Sequence, residues 1–197
     1  MAITNGININ CSDIVGAGGI RNVLIRTWES GDTITYINTA TSHAISSIKD
    51  TGASTATWFN YEFKQELPSL TVTAAKENGS TSYECALNFM MPDMDLAKSA
   101  VLQQLMDTCM MVIAVGNNGK AYVLGVSQKY SNEKATIRNQ TYASMTGAEG
   151  ATGAGINDDN GWTVTMGCKQ WEAPRLYSGN LTLYTNAGAG TGTSTTS

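Results

Sequence analysis

His43 is the only histidine of the chain, so a Ser–His–Asp relay or an imidazole-based metal site would have to be built on it. Its setting, Thr41-Ser42-His43-Ala44, is polar and holds neither a cysteine nor paired carboxylates, which fits a solvated loop histidine. Cys11, Cys85, Cys109 and Cys168 are far apart with no C-x-x-C pair, so no zinc ribbon or dense disulfide framework is spelled out. Reduced thiols follow as the expectation, and Cys85, which alternates with apolar neighbours, reads as core. Asp93-Met94-Asp95 and Asp158-Asp159-Asn160-Gly161 supply oxygen ligands. An EF-hand, however, needs ligands at positions 1, 3 and 5, Gly at 6 and Glu at 12, and Trp162 and Val164 interrupt that pattern. A helix cap and a β-turn account for the two acidic groups. Gly16-Ala17-Gly18-Gly19 precedes a strand and not a helix, so it is no phosphate cradle. The Asn-x-Ser/Thr triplets at Asn78, Asn139 and Asn180 read as turn residues, because no secretory leader is visible. The reading assigns no catalytic, cofactor or metal residue.

The elements around these residues are mostly strands. Asn22 to Trp28 is rich in branched residues and ends at the turn Gly31-Asp32; Thr33 to Thr39 reads as a second strand. From Trp58 to Glu66, Phe59, Tyr61 and Phe63 alternate with Asn60, Glu62, Lys64 and Glu66, and Pro68 ends the run. Leu70, Val72 and Ala74 alternate with threonines up to Asn78-Gly79, a dipeptide that tolerates positive φ in a hairpin turn. The return strand places Tyr83, Cys85, Leu87 and Phe89 opposite Ser82, Glu84, Ala86 and Asn88, a period of two that predicts a half-buried antiparallel strand. One helix is expected over about 94–109, capped by Asp93 or Asp95, with Leu102, Leu105, Met106 and Cys109 on its apolar stripe. A hairpin follows: Met111–Val115, the turn Gly116-Asn117-Asn118-Gly119-Lys120, and Ala121–Val126.

Residues 127–157 lack periodicity and read as a long loop insertion. Strands return at Trp162–Met166 and Leu181–Thr185. Residues 187–197 form a Gly/Thr/Ser tail expected to be flexible in a free subunit and to order against a neighbour. The expected architecture is therefore mainly β (α+β): one domain over 1–186, an antiparallel β-sandwich or split barrel with one flanking α-helix.

Composition narrows the function. The 197 residues carry 12 Lys plus Arg and 16 Asp plus Glu, a net charge of −4, which argues against a domain that grips DNA phosphates. The longest apolar run, Cys109 to Val115, is far shorter than the ~20 residues of a membrane helix, so no membrane partner is expected. Polar strand faces with mild acidity, and long strands whose edges need covering, point instead to a building block that closes its edges against other copies.

The ordered series of these pieces resembles the tail-tube-like structural proteins of tailed bacteriophages, in particular of the Bacteroides-phage type. It runs from Cys11 and Gly18-Gly19-Ile20-Arg21-Asn22-Val23 through Trp58-Phe59-Asn60-Tyr61-Glu62-Phe63-Lys64, Leu70-Thr71-Val72, Asn78 to Glu84 and the Met94-Asp95 helix start. Val115 to Gly125 and Asp158 to Thr165 complete it, so most of residues 11–172 is covered. The excursion at 127–157 is longer than in simple tube proteins, and residues 173–197 add a strand and tail, which would suit a specialised neck or tail ring. The resemblance implies a virion protein, assembled in the host cytoplasm into a homo-oligomeric ring, for which six-fold symmetry or a multiple of it is the expectation. Its channel would pass double-stranded DNA without specific binding, and its neighbours would be adjacent tail or neck proteins. The alternative is a capsid decoration or receptor-binding adhesin using Trp28, Trp58 and Trp171. No cofactor and no enzymatic activity are implied. On this reading Glu62, Lys64, Glu66 and Glu84 are the lumen-facing candidates, and Gly18, Gly19, Asn117, Asn118 and Gly119 the inter-subunit ones.

Overall fold

A computed structural model describes residues 18–29, 31–39, 42–49, 57–62, 68–128, 141–155, 158–184 and 193–196. In chain order the elements are β1 (Ile20–Thr27), β2 (Thr33–Thr39), β3 (Ser42–Lys49), β4 (Thr57–Glu62), β5 (Ser69–Glu77), β6 (Ser80–Pro92) and α1 (Leu96–Met106). They continue with β7 (Met110–Gly116), β8 (Ala121–Leu124), β9 (Ser144–Ala151), β10 (Gly161–Gln170), β11 (Arg175–Tyr177), β12 (Leu181–Tyr184) and β13 (Thr193–Thr196). The protein is a mainly β sandwich with one flanking helix. One sheet has nine strands in the order β13-β12-β4-β1-β7-β8-β11-β3-β2, and the other has four in the order β5-β6-β10-β9. The small sheet is antiparallel throughout; in the large one β11–β3 and β12–β4 run parallel.

Strand β7 shows why the two layers stay together. Its sequence, MMVIAVG, is apolar at almost every position, which is what a strand buried on both faces requires. Met110, Val112 and Ala114 enter the sandwich core with Val23 and Ile25 of β1, Leu87 and Phe89 of β6, and Val164 and Met166 of β10. Met111 and Ile113 point the other way, into a second cluster with Leu24, Ile45, Ile48, Trp58 and Val123. Among the described residues, that second cluster is built only from the nine-stranded sheet and its connections. In a flat sheet β4 and β3 would lie ~24 Å apart across five strand spacings, and their side chains would be wet. The sheet therefore bends around this cluster, as its right-handed twist favours.

Helix α1 is shorter than expected. Asp95 is the N-cap: its carboxylate accepts the Lys98 N–H at 2.7 Å, and Asp107 is the C-cap. Leu102 and Leu105 are its buried side chains, whereas Leu96 and Met106 are exposed, so the apolar stripe is two residues wide and covers one end of the sandwich core. The Asn78-Gly79 turn is as expected, with φ of 48° and 81° joining β5 to β6. Gly125 (φ 80°) is required sterically, since a Cβ there would lie 2.6 Å from the Ala143 nitrogen.

Three expectations need correction. The segment 127–157 is not one loop: it contains β9, which pairs with β10. Its sequence, SMTGAEGA, has little apolar alternation, and a register shift between Thr165 and Met166 breaks what there is. The tail is not wholly without structure, because β13 pairs antiparallel with β12. That pairing rests on backbone hydrogen bonds and on threonine's tolerance of extended backbone, neither of which needs an apolar face. Lastly, His43 lies exposed on β3, opposite Asn38, and not in a loop.

Candidate functional site

Among the described residues no group of three or more His, Cys, Asp or Glu side chains could hold a metal ion. Two of the aspartates singled out in the sequence, Asp95 and Asp158, have structural partners. Asp95 caps α1, and the Asp158 carboxylate accepts the N–H groups of Ala154 and Gly155 at 2.8 and 2.7 Å. The same hydrogen bonds hold both carboxyls below the usual range: for Asp95 the Lys98 backbone N–H and then its side chain, for Asp158 the Gly155 and Ala154 N–H groups. Two further polar groups are internal. Arg26 and Asp32 form a 2.6 Å ion pair, and Arg175 donates to Asn38, Gln128 and Glu172 while lying 5.0 Å over the Tyr36 ring.

The distinctive surface is the outer face of the four-stranded sheet. Because side chains alternate, β6 sends Cys85, Leu87, Phe89 and Met91 into the core and presents Ser82, Glu84, Ala86 and Asn88 outward. From the register, Ser69, Thr71, Thr73, Ala75 and Glu77 of β5 share that outer face, as do Thr163, Thr165, Gly167 and Lys169 of β10. Strand β9 adds Gly147 and Glu149, opposite Thr165 and Thr163. These side chains are short, and their polar groups are satisfied locally: Thr165 Oγ1 donates to Asn88 Oδ1 at 2.8 Å, and Thr146 Oγ1 to the Thr165 carbonyl at 3.1 Å. The charges are Glu77, Glu84 and Glu149 against Lys169, so the face carries 1 − 3 = −2, with Lys169 directly opposite Glu84. It is a flat, hydroxyl-rich and mildly acidic sheet face.

Both margins of this sheet are open. β5 pairs with β6 alone and β9 with β10 alone, so among the described residues each has one edge without a strand partner. Every residue from Thr71 to Thr81 is exposed, so the distal half of the β5–β6 hairpin stands away from the body. The Asn78-Gly79 turn also fixes which groups point outward. Glu77 and Ser80 flank a two-residue turn and must exchange both backbone hydrogen bonds. Counting back by twos, the N–H and C=O of Leu70, Val72, Ala74 and Lys76 face away from β6, toward the open edge.

The sequence-derived lumen candidates are divided by this architecture. Glu84 lies on the outer face, but Glu62 ends β4 in the other sheet, opposite Asn22 of β1. A single wet face carrying Glu62 and Glu84 would need β4 beside β6, whereas β4 pairs with β1 and β12. Lys64 and Glu66 lie outside the described residues. Glu149 and Lys169, which the sequence reading did not single out, share the surface with Glu84. Period two in Trp162–Thr165 pointed to β10, whereas nothing in the sequence of β9 pointed to Glu149.

The residues expected between subunits are neighbours within the single chain. Asn117 Nδ2 donates to the Gly18 carbonyl at 2.8 Å and the Asn117 N–H to the Gly19 carbonyl at 3.1 Å, so Gly18, Gly19 and the Asn117-Asn118-Gly119 turn form one exposed patch. Of the tryptophans considered for an adhesin, Trp58 is 1% exposed and Trp28 packs on the second cluster, which leaves Trp171 at the surface. No family model matches the chain, and no curated protein or solved structure does either.

Proposed function

We propose that the chain is a virion structural protein, a subunit of a homo-oligomeric tail tube or neck ring whose four-stranded sheet lines a passage for DNA. The observation that carries the reading is a sheet packed through β6 and β10 on one face and wet, short-chained and weakly acidic on the other, with both edges open among the described residues. Edge-to-edge joining of β5 in one copy to β9 in the next would remove both margins, and such a head-to-tail contact closes into a ring when the rotation permits. Four strands ~4.8 Å apart contribute ~19 Å of circumference; six copies give ~115 Å, a backbone diameter of ~37 Å before strand tilt widens it. A duplex fits that opening with side chains in place. DNA carries one negative charge per ~1.7 Å, so a face of net −2 offers it no grip within the ~8 Å screening length at physiological salt.

The test is the assembly state. Native mass spectrometry and electron microscopy of the concentrated protein should show rings or tubes with an open axis. A chain that stays monomeric at all concentrations, and inside purified particles, overturns the reading.

A further inference from the structure

Cys85 and Cys168 are cross-strand partners at the centre of the four-stranded sheet, and both are free thiols. The geometry points to a redox-modification site: we infer that Cys85 and Cys168 form a reversible disulfide across β6–β10 when the protein meets a small oxidant such as hydrogen peroxide. This does not depend on the assembly proposed above.

The backbone fixes the span. Because Glu77 and Ser80 are a hydrogen-bonded pair, Val72 and Cys85 are not, and the Cys85 backbone groups turn toward β10. Cys85 and Cys168 are then the hydrogen-bonded kind of antiparallel pair, with Cα atoms ~5.5 Å apart, inside the ~4.4–6.8 Å range of disulfides. The Cβ atoms of such a pair are ~5.5 Å apart, wider by ~1 Å than most disulfides adopt. The bond can therefore form, but only by drawing the strands together, and strain of that kind makes a disulfide easy to reduce.

The chemistry is polarised toward one sulfur. Hydrogen bonding to Cys168, then burial, push the Cys85 thiol up, while the hydrogen bond from Cys85 outweighs burial and brings Cys168 down. The Cys168 S–H donates to the Gln170 side-chain oxygen at 3.6 Å, a bond it gives up on ionising. It is the more exposed of the two, 7% against 1%, and β9 stops pairing at Gly167, one residue short of it. The Cys168 thiolate attacks one peroxide oxygen, the O–O bond breaks, and protonated hydroxide leaves as water. Cys85 sulfur then attacks the Cys168 sulfenic sulfur, the S–O bond breaks, and a second water departs. Two thiols lose two electrons and two protons, and one peroxide becomes two waters. A reducing cytosol keeps the pair open; an oxidising medium closes it.

The primary measurement uses the unsubstituted protein. After brief peroxide treatment under non-denaturing conditions, intact mass should fall by the two hydrogens of one disulfide. Digestion without reductant should join the Cys85 and Cys168 peptides, and millimolar glutathione should restore both thiols. Cys109→Ser should leave the crosslink unchanged, while Cys85→Ala should leave a sulfenic acid at Cys168 that dimedone traps. Retention of both thiols, pairing of either with Cys11 or Cys109, or over-oxidation of Cys168 without a link overturns the inference.

Discussion

Arg26 and Asp32 meet at 2.6 Å across the turn between β1 and β2, with Arg26 5% exposed and the Asp32 side chain sealed from solvent. Asp32 also accepts the Glu29 N–H at 3.0 Å, so one carboxylate both neutralises a buried guanidinium and closes the turn. Asp32→Ala leaves an uncompensated charge inside the protein and should destabilise by about 3–5 kcal/mol. Urea titration of the wild type and variant measures it; a loss under ~1 kcal/mol would show that the pair is effectively solvated.

Leu87 and Ile113 are fully buried in different clusters, one on each face of the large sheet. Leu87→Ala and Ile113→Ala should each lower stability by about 2–5 kcal/mol through lost burial and a residual cavity. Equilibrium denaturation of both variants tests this, and an unaffected midpoint for Ile113→Ala would refute the second core.

Asp95 and Asp158 have native pKa values below the ~3.9 of an unfolded aspartate. Each therefore stabilises the fold above that value, and the contribution disappears as pH falls through the lower native value, where the folded state finally takes up its proton. Acid titration followed by helical circular dichroism should show the wild type losing stability below about pH 4. Asp95→Asn, which keeps a capping oxygen without a titrating carboxyl, should flatten that slope and lose at pH 7 the stability that Asp95 otherwise sheds on acidification.

Ala74 presents its N–H to the open edge of β5. Ala74→Pro removes that donor while sparing the ladder to β6, so the monomer should keep its melting temperature to within a few degrees and lose assembly. Analytical ultracentrifugation and a thermal melt separate the two effects. Rings of unchanged mass would exclude this edge from the interface.

Glu84 and Glu149 stand on the outer face with Lys169. Changing both glutamates to lysine moves the face from −2 to +2 per copy, since each substitution adds two charges. Assembled rings of the double variant should retain duplex DNA at low salt and release it as salt rises, whereas the wild type should retain none. A gel shift at graded ionic strength reads this directly.

The legibility of the fold followed the strength of side-chain alternation. β6 and β7 were visible because core packing forces a period of two in one and continuous apolarity in the other. The hairpin turn at Asn78-Gly79 was visible because its backbone demands positive φ. β9 and β13 were hidden because glycine, alanine and threonine strands at a sheet margin are held by backbone pairing, which leaves no pattern in side-chain type. The outer face was half visible. Glu84 sat in a clean alternation, but which strand lies beside which is a long-range fact, and β4 and β6 parted into different sheets for reasons no local window contains.

The doubly buried strand β7 has a mechanical meaning. Since the same seven residues wall both apolar compartments, neither compartment can melt while the other persists. Its amides should exchange only when the whole chain opens, at the slowest rate in the protein, so that a pull applied at either sheet is felt by both.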